Sequence, residues 1–334
     1  MSDPTPILSA RDLALHYAQR GGRWVRAVNG VSFDLHPGET LAIVGESGCG
    51  KSSLSRALMR LEQPTAGKVR LDGADITHAR GETLRQHRRH IQMVFQDPYA
   101  SLDPRMSARE IVREPLDNFA IGAHQDRDGR VIDLLERVGL SADYARRYAH
   151  EMSGGQRQRL GIARALAAGP KVLIADEPVS ALDISIQAQV INLLGDIQKA
   201  EGLSILFISH DINVVAHVSD RIAVMYLGRI VEIGRTEDVL GAPQHPYTRT
   251  LLDAVPVPHP RLRRARTLLE GDIPSPSAPP PGCTFHPRCP QAMPQCRIEA
   301  PELIPTAQAQ LAACHLHARP PMPSTKAHSD KRLP

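Results

Sequence analysis

The stretch GESGCGKSS, residues 45–53, places three glycines ahead of a lysine and two serines. The spacing Gly45-x4-Gly50-Lys51-Ser52 suits one chemistry in particular, the cradling of phosphate. Bare backbone N–H groups at Gly45, Glu46, Ser47, Gly48, Cys49 and Gly50 can converge on an anion, and a following helix would aim its positive end at the same point. Lys51 would add a compact charge for the β and γ phosphates. The Ser52 hydroxyl could coordinate Mg²⁺, with Ser53 beside it. A plain glycine turn between strand and helix is the simpler reading of the same residues. A second constellation decides between them. Val172-Leu173-Ile174-Ala175 runs into Asp176-Glu177, which would put a Mg²⁺-holding carboxylate and a water-activating one at the carboxyl end of a buried strand.

The elements around these residues fit that geometry. Residues 7–17 and 25–35 alternate as strands do, with a turn at 19–22. Residues 40–44 form a buried-type strand and 51–61 a helix. Further strands are expected at 67–73, 91–96, 171–175, 204–208 and 221–227. Helical spacing dominates 107–168, with Ser107 as an N-cap. Alternating strands and helices imply an α/β fold whose largely parallel sheet is covered on both faces. Within the helical stretch, Met152-Ser153-Gly154-Gly155-Gln156 satisfies the S-x-x-Q capping box. A double glycine in a first helical turn is costly, unless bare backbone must lie against a ligand.

With these residues assembled, the chain resembles the ATP-binding subunits of ABC transporters. Ser153-Gly154-Gly155-Gln156 is similar to that family's signature, with Met152 where leucine is usual. The resemblance implies a P-loop NTPase fold: a RecA-like parallel core, an antiparallel β subdomain and an α-helical signature subdomain at about 97–165. It further implies ATP and Mg²⁺ as ligands, the metal being held at Ser52, Gln96 and Asp176. Glu177, His210 and Gln96 would serve hydrolysis, and Tyr17 would stack on adenine. Ser180-Ala181-Leu182-Asp183 would cross the interface of a head-to-tail dimer. In such a dimer each ATP lies between one chain's lysine loop and the other's signature helix.

Residues 94–105, 175–183, 245–252 and 279–289 resemble more narrowly the importer ATPases for dipeptides and oligopeptides, in their F-type member, with nickel importers close by. The implied partners are a second ATPase subunit forming a heterodimer, two transmembrane permease subunits and an extracytoplasmic peptide-binding protein. A soluble ABC ATPase acting on nucleic acid or ribosomes is the rival reading. Such proteins carry long coiled-coil insertions or two cassettes, and the 56 positions (152 − 96) between Gln96 and Met152 are too few for a long coiled coil.

Composition sets the outer bounds. The 334 residues, 42% of them hydrophobic, suffice for a substantial core. The net charge of +4 is too mild to argue for a nucleic-acid partner, and none is expected. No apolar run nears the ~18 residues of a membrane span, and the N-terminus has no secretory pattern. The chain is therefore expected to stay in the cytosol, and the resemblance implies a peripheral place on the cytoplasmic face of the inner membrane. The expected organisation is a nucleotide-binding domain over 1–240, an irregular proline-rich extension over 241–318 and a disordered tail over 319–334. The arginine-rich segment 261–266 reads as a solvated surface. Four cysteines crowd this extension: Cys283, Cys289, Cys296 and Cys314. Their spacing lacks the tight pairs of zinc sites, whereas four convergent thiolates can hold an iron–sulfur cluster. The resemblance points the same way, to a [4Fe–4S] cluster.

Overall fold

The computed structural model describes residues 5–19, 21–254, 272–306 and 310–317. The arginine-rich 261–266 and the expected disordered tail lie outside these residues.

Two sheets organise the described residues. The smaller is antiparallel and four-stranded: β1 (Leu8–Ala18) lies between β2 (Trp24–Leu35) and β4 (Ala66–Leu71), and β5 (Ala74–Asp75) completes the order β2-β1-β4-β5. The larger contains β3 (Thr40–Val44), β6 (Ile91–Val94), β7 (Val172–Asp176), β8 (Ser204–Ser209) and β9 (Arg221–Tyr226), joined in parallel in the order β9-β3-β8-β7-β6. β10 (Arg229–Arg235) adds antiparallel to β9. The short strands β11 (Ile304–Pro305) and β12 (Leu311–Ala312) follow, β12 pairing with β10 and β11 forming the edge. Pro305 thus sits on an edge strand, where its missing N–H costs no ladder bond.

The central strands are buried on both faces. Leu41 and Ile43 pack into one apolar cluster, Ala42 and Val44 into another. Strict alternation of side chains across a pleated strand divides them this way. β7 repeats the pattern, with Val172 and Ile174 on one side and Leu173 and Ala175 on the other.

Helices supply the cover. α1 (Lys51–Leu58) follows β3 directly, and it ends before residue 61 because Arg60 takes a left-handed φ of 55°. α2 (Gly81–His90) and α3 (Pro98–Ser101) flank β6. The helical region consists of α4 (Ala108–Asn118), α5 (Arg127–Arg137) and α6 (Gly154–Ala167). Its two expected caps are in place: Ser107 and Glu110 form one capping box, Ser153 and Gln156 another. α7 (Ile184–Glu201), α8 (Ile212–Val218), α9 (Thr236–Gly241) and α10 (Pro246–Asp253) complete the set.

Three expectations need correction. β6 stops at Val94, so Gln96 belongs to the loop beyond the strand. α2 and β10 are additional regular elements. The segment after 241 is also more ordered than its prolines suggest, since it forms α10 and lends β11 and β12 to the main sheet.

α10 begins at a buried histidine. The His245 Nδ1 accepts the N–H of Tyr247 at 3.0 Å, and the residue is 1% exposed. Burial, with His317 nearby, pushes its pKa from 6.5 down to about 3. Below pH 6.5 the unfolded chain therefore binds a proton that the folded chain refuses. Stability at this site is complete above 6.5 and declines as pH falls towards 3. His245→Asn keeps an N-cap acceptor and removes the titration. Thermal unfolding across that window should show a flatter acid limb in this variant than in the parent chain.

Candidate functional site

The carboxyl edge of the parallel strands opens into a cleft of about 870 Å³. Tyr17, Ser47, Gly48, Gly50, Lys51, Ser52, Ser53, Gln96, Glu177 and His210 all line it, and all of them were expected at a nucleotide site. The cleft wall also includes Ala27 and Pro276, which nothing in the local sequence singles out.

The 45–50 loop takes its shape from close packing. A Cβ on Gly45 would stand 2.1 Å from the Met225 carbonyl oxygen, and one on Gly50 would stand 2.0 Å from that of Ala27. Gly50, with φ 108°, is the N-cap of α1, so the helix begins at the loop's end with its first N–H groups directed into the cleft. Lys51 is 4% exposed; its ammonium donates to the carbonyls of Gly45 at 2.8 Å and Glu46 at 3.1 Å. It therefore ties the loop to its own helix while presenting charge at the floor. Cys49 turns inward instead, buried under the loop, and burial pushes its thiol up.

Asp176 ends β7 almost fully buried. Its Oδ1 accepts from the Ser52 hydroxyl at 3.3 Å and its Oδ2 from the Ser55 hydroxyl at 3.0 Å. Burial pushes this carboxyl above its ordinary range, although the two serines pull it back. A divalent cation would remove that cost, and a serine hydroxyl facing a carboxylate is the hard oxygen set that Mg²⁺ prefers. Ser55 was not anticipated; its i+3 spacing from Ser52 puts both hydroxyls on one side of α1.

Glu177 gathers the remaining groups. Its Oε2 accepts from Gln96 Nε2 at 3.0 Å and lies 3.2 Å from His210 Nδ1, while Oε1 is 3.9 Å from the Lys51 ammonium. Its backbone is left-handed, with φ 47°, and is anchored by its N–H to the Ile208 carbonyl at 2.9 Å. A non-glycine residue in that region costs on the order of 1 kcal/mol, and such outliers gather where function needs a fixed side chain.

The signature residues lie elsewhere. Ser153, Gly154, Gly155 and Gln156 cap α6, outside the cleft. A Cβ on Gly155 would come 2.5 Å from Ile186 Cγ2, and one on Gly154 would come 3.4 Å from Leu182 Cδ2. The glycines thus let α6 approach the start of α7, where exposed Asp183 is the N-cap. Of the 180–183 loop, Ser180 and Ala181 reach the cleft.

The four late cysteines are free thiols. Cys283, Cys289 and Cys314 feel one another or Cys296 electrostatically, and burial pushes all three upward, Cys314 to about 11. Among the described residues, however, no three His, Cys, Asp or Glu side chains converge closely enough to hold a metal ion. The donors are chemically right for a cluster, but their arrangement here is not that of a metal centre. Among the described residues, too, no helix is long and apolar enough to cross a membrane.

Known proteins share this architecture. Residues 28–180 match the ABC transporter family, and residues 231–296 match the C-terminal region of oligopeptide/dipeptide transporters. The probable peptide ABC transporter ATP-binding protein y4tS of Sinorhizobium fredii is 52% identical, covering 98% of this chain and 93% of its own. The oligopeptide transport ATP-binding protein AppF of Bacillus subtilis is 50% identical over 93% of this chain and 98% of its own. Among solved structures, the dimeric ATP-binding cassette MJ0796, in a post-hydrolysis state with ADP and Pi, matches with a TM-score of 0.63. It is 30% identical and covers 69% of this chain and 98% of that one.

Proposed function

The chain belongs to the ATP-binding proteins of peptide ABC transporters, which hydrolyse ATP, and from that premise we propose that it powers uptake of dipeptides and oligopeptides as half of an ATP-sandwich dimer. The observation that carries the reading is the cleft lined by Lys51, Ser52, Gln96, Glu177 and His210, with Asp176 directly behind the Ser52 hydroxyl. In this reading the loop N–H groups and Lys51 bind the triphosphate. Ser52 and Asp176, with Gln96 near, would hold Mg²⁺, which would supply charge neutralisation at the phosphates. Glu177 takes the proton of a water that attacks the γ-phosphorus as the bond to the β–γ bridging oxygen breaks. His210 steadies the γ-phosphate, and Tyr17 packs on the base.

The Ser153–Gln156 cap, exposed at Ser153 and Gly154 and set away from the cleft of its own chain, would serve the site of a second ATPase subunit, with Asp183 at the interface. The helical region would meet two permease subunits, to which an extracytoplasmic binding protein delivers the peptide. The chain would then work at the cytoplasmic face of the membrane. Its 1–240 portion would be the motor and 241–318 an accessory segment. The decisive experiment reconstitutes the chain with its companion ATPase, permeases and binding protein in vesicles. Uptake of labelled di- and oligopeptides should follow ATP hydrolysis, and hydrolysis without peptide uptake would refute the substrate assignment.

A [4Fe–4S] cluster on Cys283, Cys289, Cys296 and Cys314 belongs to the same proposal. It would require the thiols to deprotonate and draw together. Protein purified without oxygen should be brown and carry about four irons per chain. A colourless, iron-free product would remove the cluster from the account.

A further inference from the structure

Glu46, the second residue of the phosphate loop, does not face the cleft. All three of its polar groups are engaged elsewhere. Its carbonyl accepts from Lys51, and its N–H donates to the Tyr247 hydroxyl at 3.0 Å. Its carboxylate takes a two-pronged grip from Arg288, with Nη1 at 2.9 Å and Nη2 at 3.2 Å. Arg288 lies 242 positions away in the cysteine-bearing extension, yet it is only 7% exposed.

The anchorage behind this grip is rigid. Phe285, fully buried, stands edge-on to Tyr226 at 5.3 Å and lies 5.4 Å from Tyr247. The Arg288 N–H donates to the Phe285 carbonyl, and its guanidinium lies 6.0 Å from the Tyr226 ring centre. An aromatic plug thus carries the guanidinium to the loop. A planar fork meeting a carboxylate with two bonds fixes orientation as well as charge.

We propose that Arg288 is a positioning residue for nucleotide binding, holding the phosphate loop open through Glu46 and masking a carboxylate that would otherwise repel the triphosphate. Two physical effects follow from that grip. The loop enters binding already ordered, which spares the cost of fixing it when nucleotide arrives. The Glu46 charge, partly shielded from water and close to an anion site, is compensated internally. The extension therefore sets ATP affinity although it contributes no group to the phosphates.

The inference rests on the ATP-binding reading, and its test separates the two. Full-length variants are titrated with Mg·ATP for affinity, and steady-state KM and kcat are measured in the assembled transporter. Arg288→Ala should raise Kd and KM about tenfold with kcat changed less than about twofold, as expected when one partner of a partly buried charge pair is removed. Adding Glu46→Gln to Arg288→Ala should recover most of that loss, because it removes the bared carboxylate. A purely packing role for Arg288 would show no such recovery. Arg288→Gln carries the same comparison should the alanine variant fail to fold. Normal ATP binding by the parent chain with unchanged KM in the Arg288 variants, or no recovery in the double variant, would overturn the inference and leave the ATP reading standing.

Discussion

Replacing Glu177 with glutamine should leave ATP binding intact and cut steady hydrolysis by at least about a hundredfold, the usual scale for losing a general base. The amide has nearly the shape of the carboxylate, and it can keep contact with Gln96 and His210, which lie 3.0 and 3.2 Å from Oε2. It cannot take a proton from water. Removing the negative charge also relieves its repulsion of the triphosphate, so nucleotide should be held rather than lost. The expected signature is a variant that co-elutes with unhydrolysed ATP as a stable pair of ATPase subunits. Near-normal turnover would show that another group activates the water.

Lys51→Ala should act on binding itself. The ammonium is nearly buried and bonded to two carbonyls of the loop that it helps to close. Its loss removes a positive charge from the floor of the cleft and leaves the Gly45 carbonyl without its donor. A change of this kind costs about 3 kcal/mol, or roughly a hundredfold in affinity. Isothermal titration with Mg·ATP should show that loss while the thermal transition of the unliganded chain moves little. The contrast with Glu177→Gln is the useful part. One variant binds without turning over and the other fails to bind, so the pair separates the two halves of the site.

Much of this site was legible because its chemistry is local. Lys51 and Ser52 sit at fixed offsets from glycines that the loop requires, and Asp176 and Glu177 follow an apolar strand. The Ser107 N-cap and the Ser153–Gln156 capping box could be read from a few consecutive residues, whereas the return bond from Glu110 came only with the structure. Legibility failed where the signal was absent or distant. α2 buries no residue, so it has no apolar stripe to count. β10 follows a hairpin turn at Leu227 and Gly228, both with positive φ. Leucine is a poor marker for such a turn, which Asn-Gly or Asp-Gly usually announces. β11 and β12 are two residues each and exist because β10 offers them a partner. The link from Arg288 to Glu46 spans most of the chain, and no spacing rule reaches that far.

The position of those two short strands has a practical consequence. They sheathe the flank of β10, and Pro305 blunts the outermost rim. A version of the protein shortened to end before residue 300 would bare the unsatisfied backbone groups of β10 at Val231, Glu232 and Ile233. Strand flanks of that kind zip onto one another in solution. Trimming the chain back past these strands should therefore yield a sticky fragment, with β11 and β12 serving as the selvedge of β10.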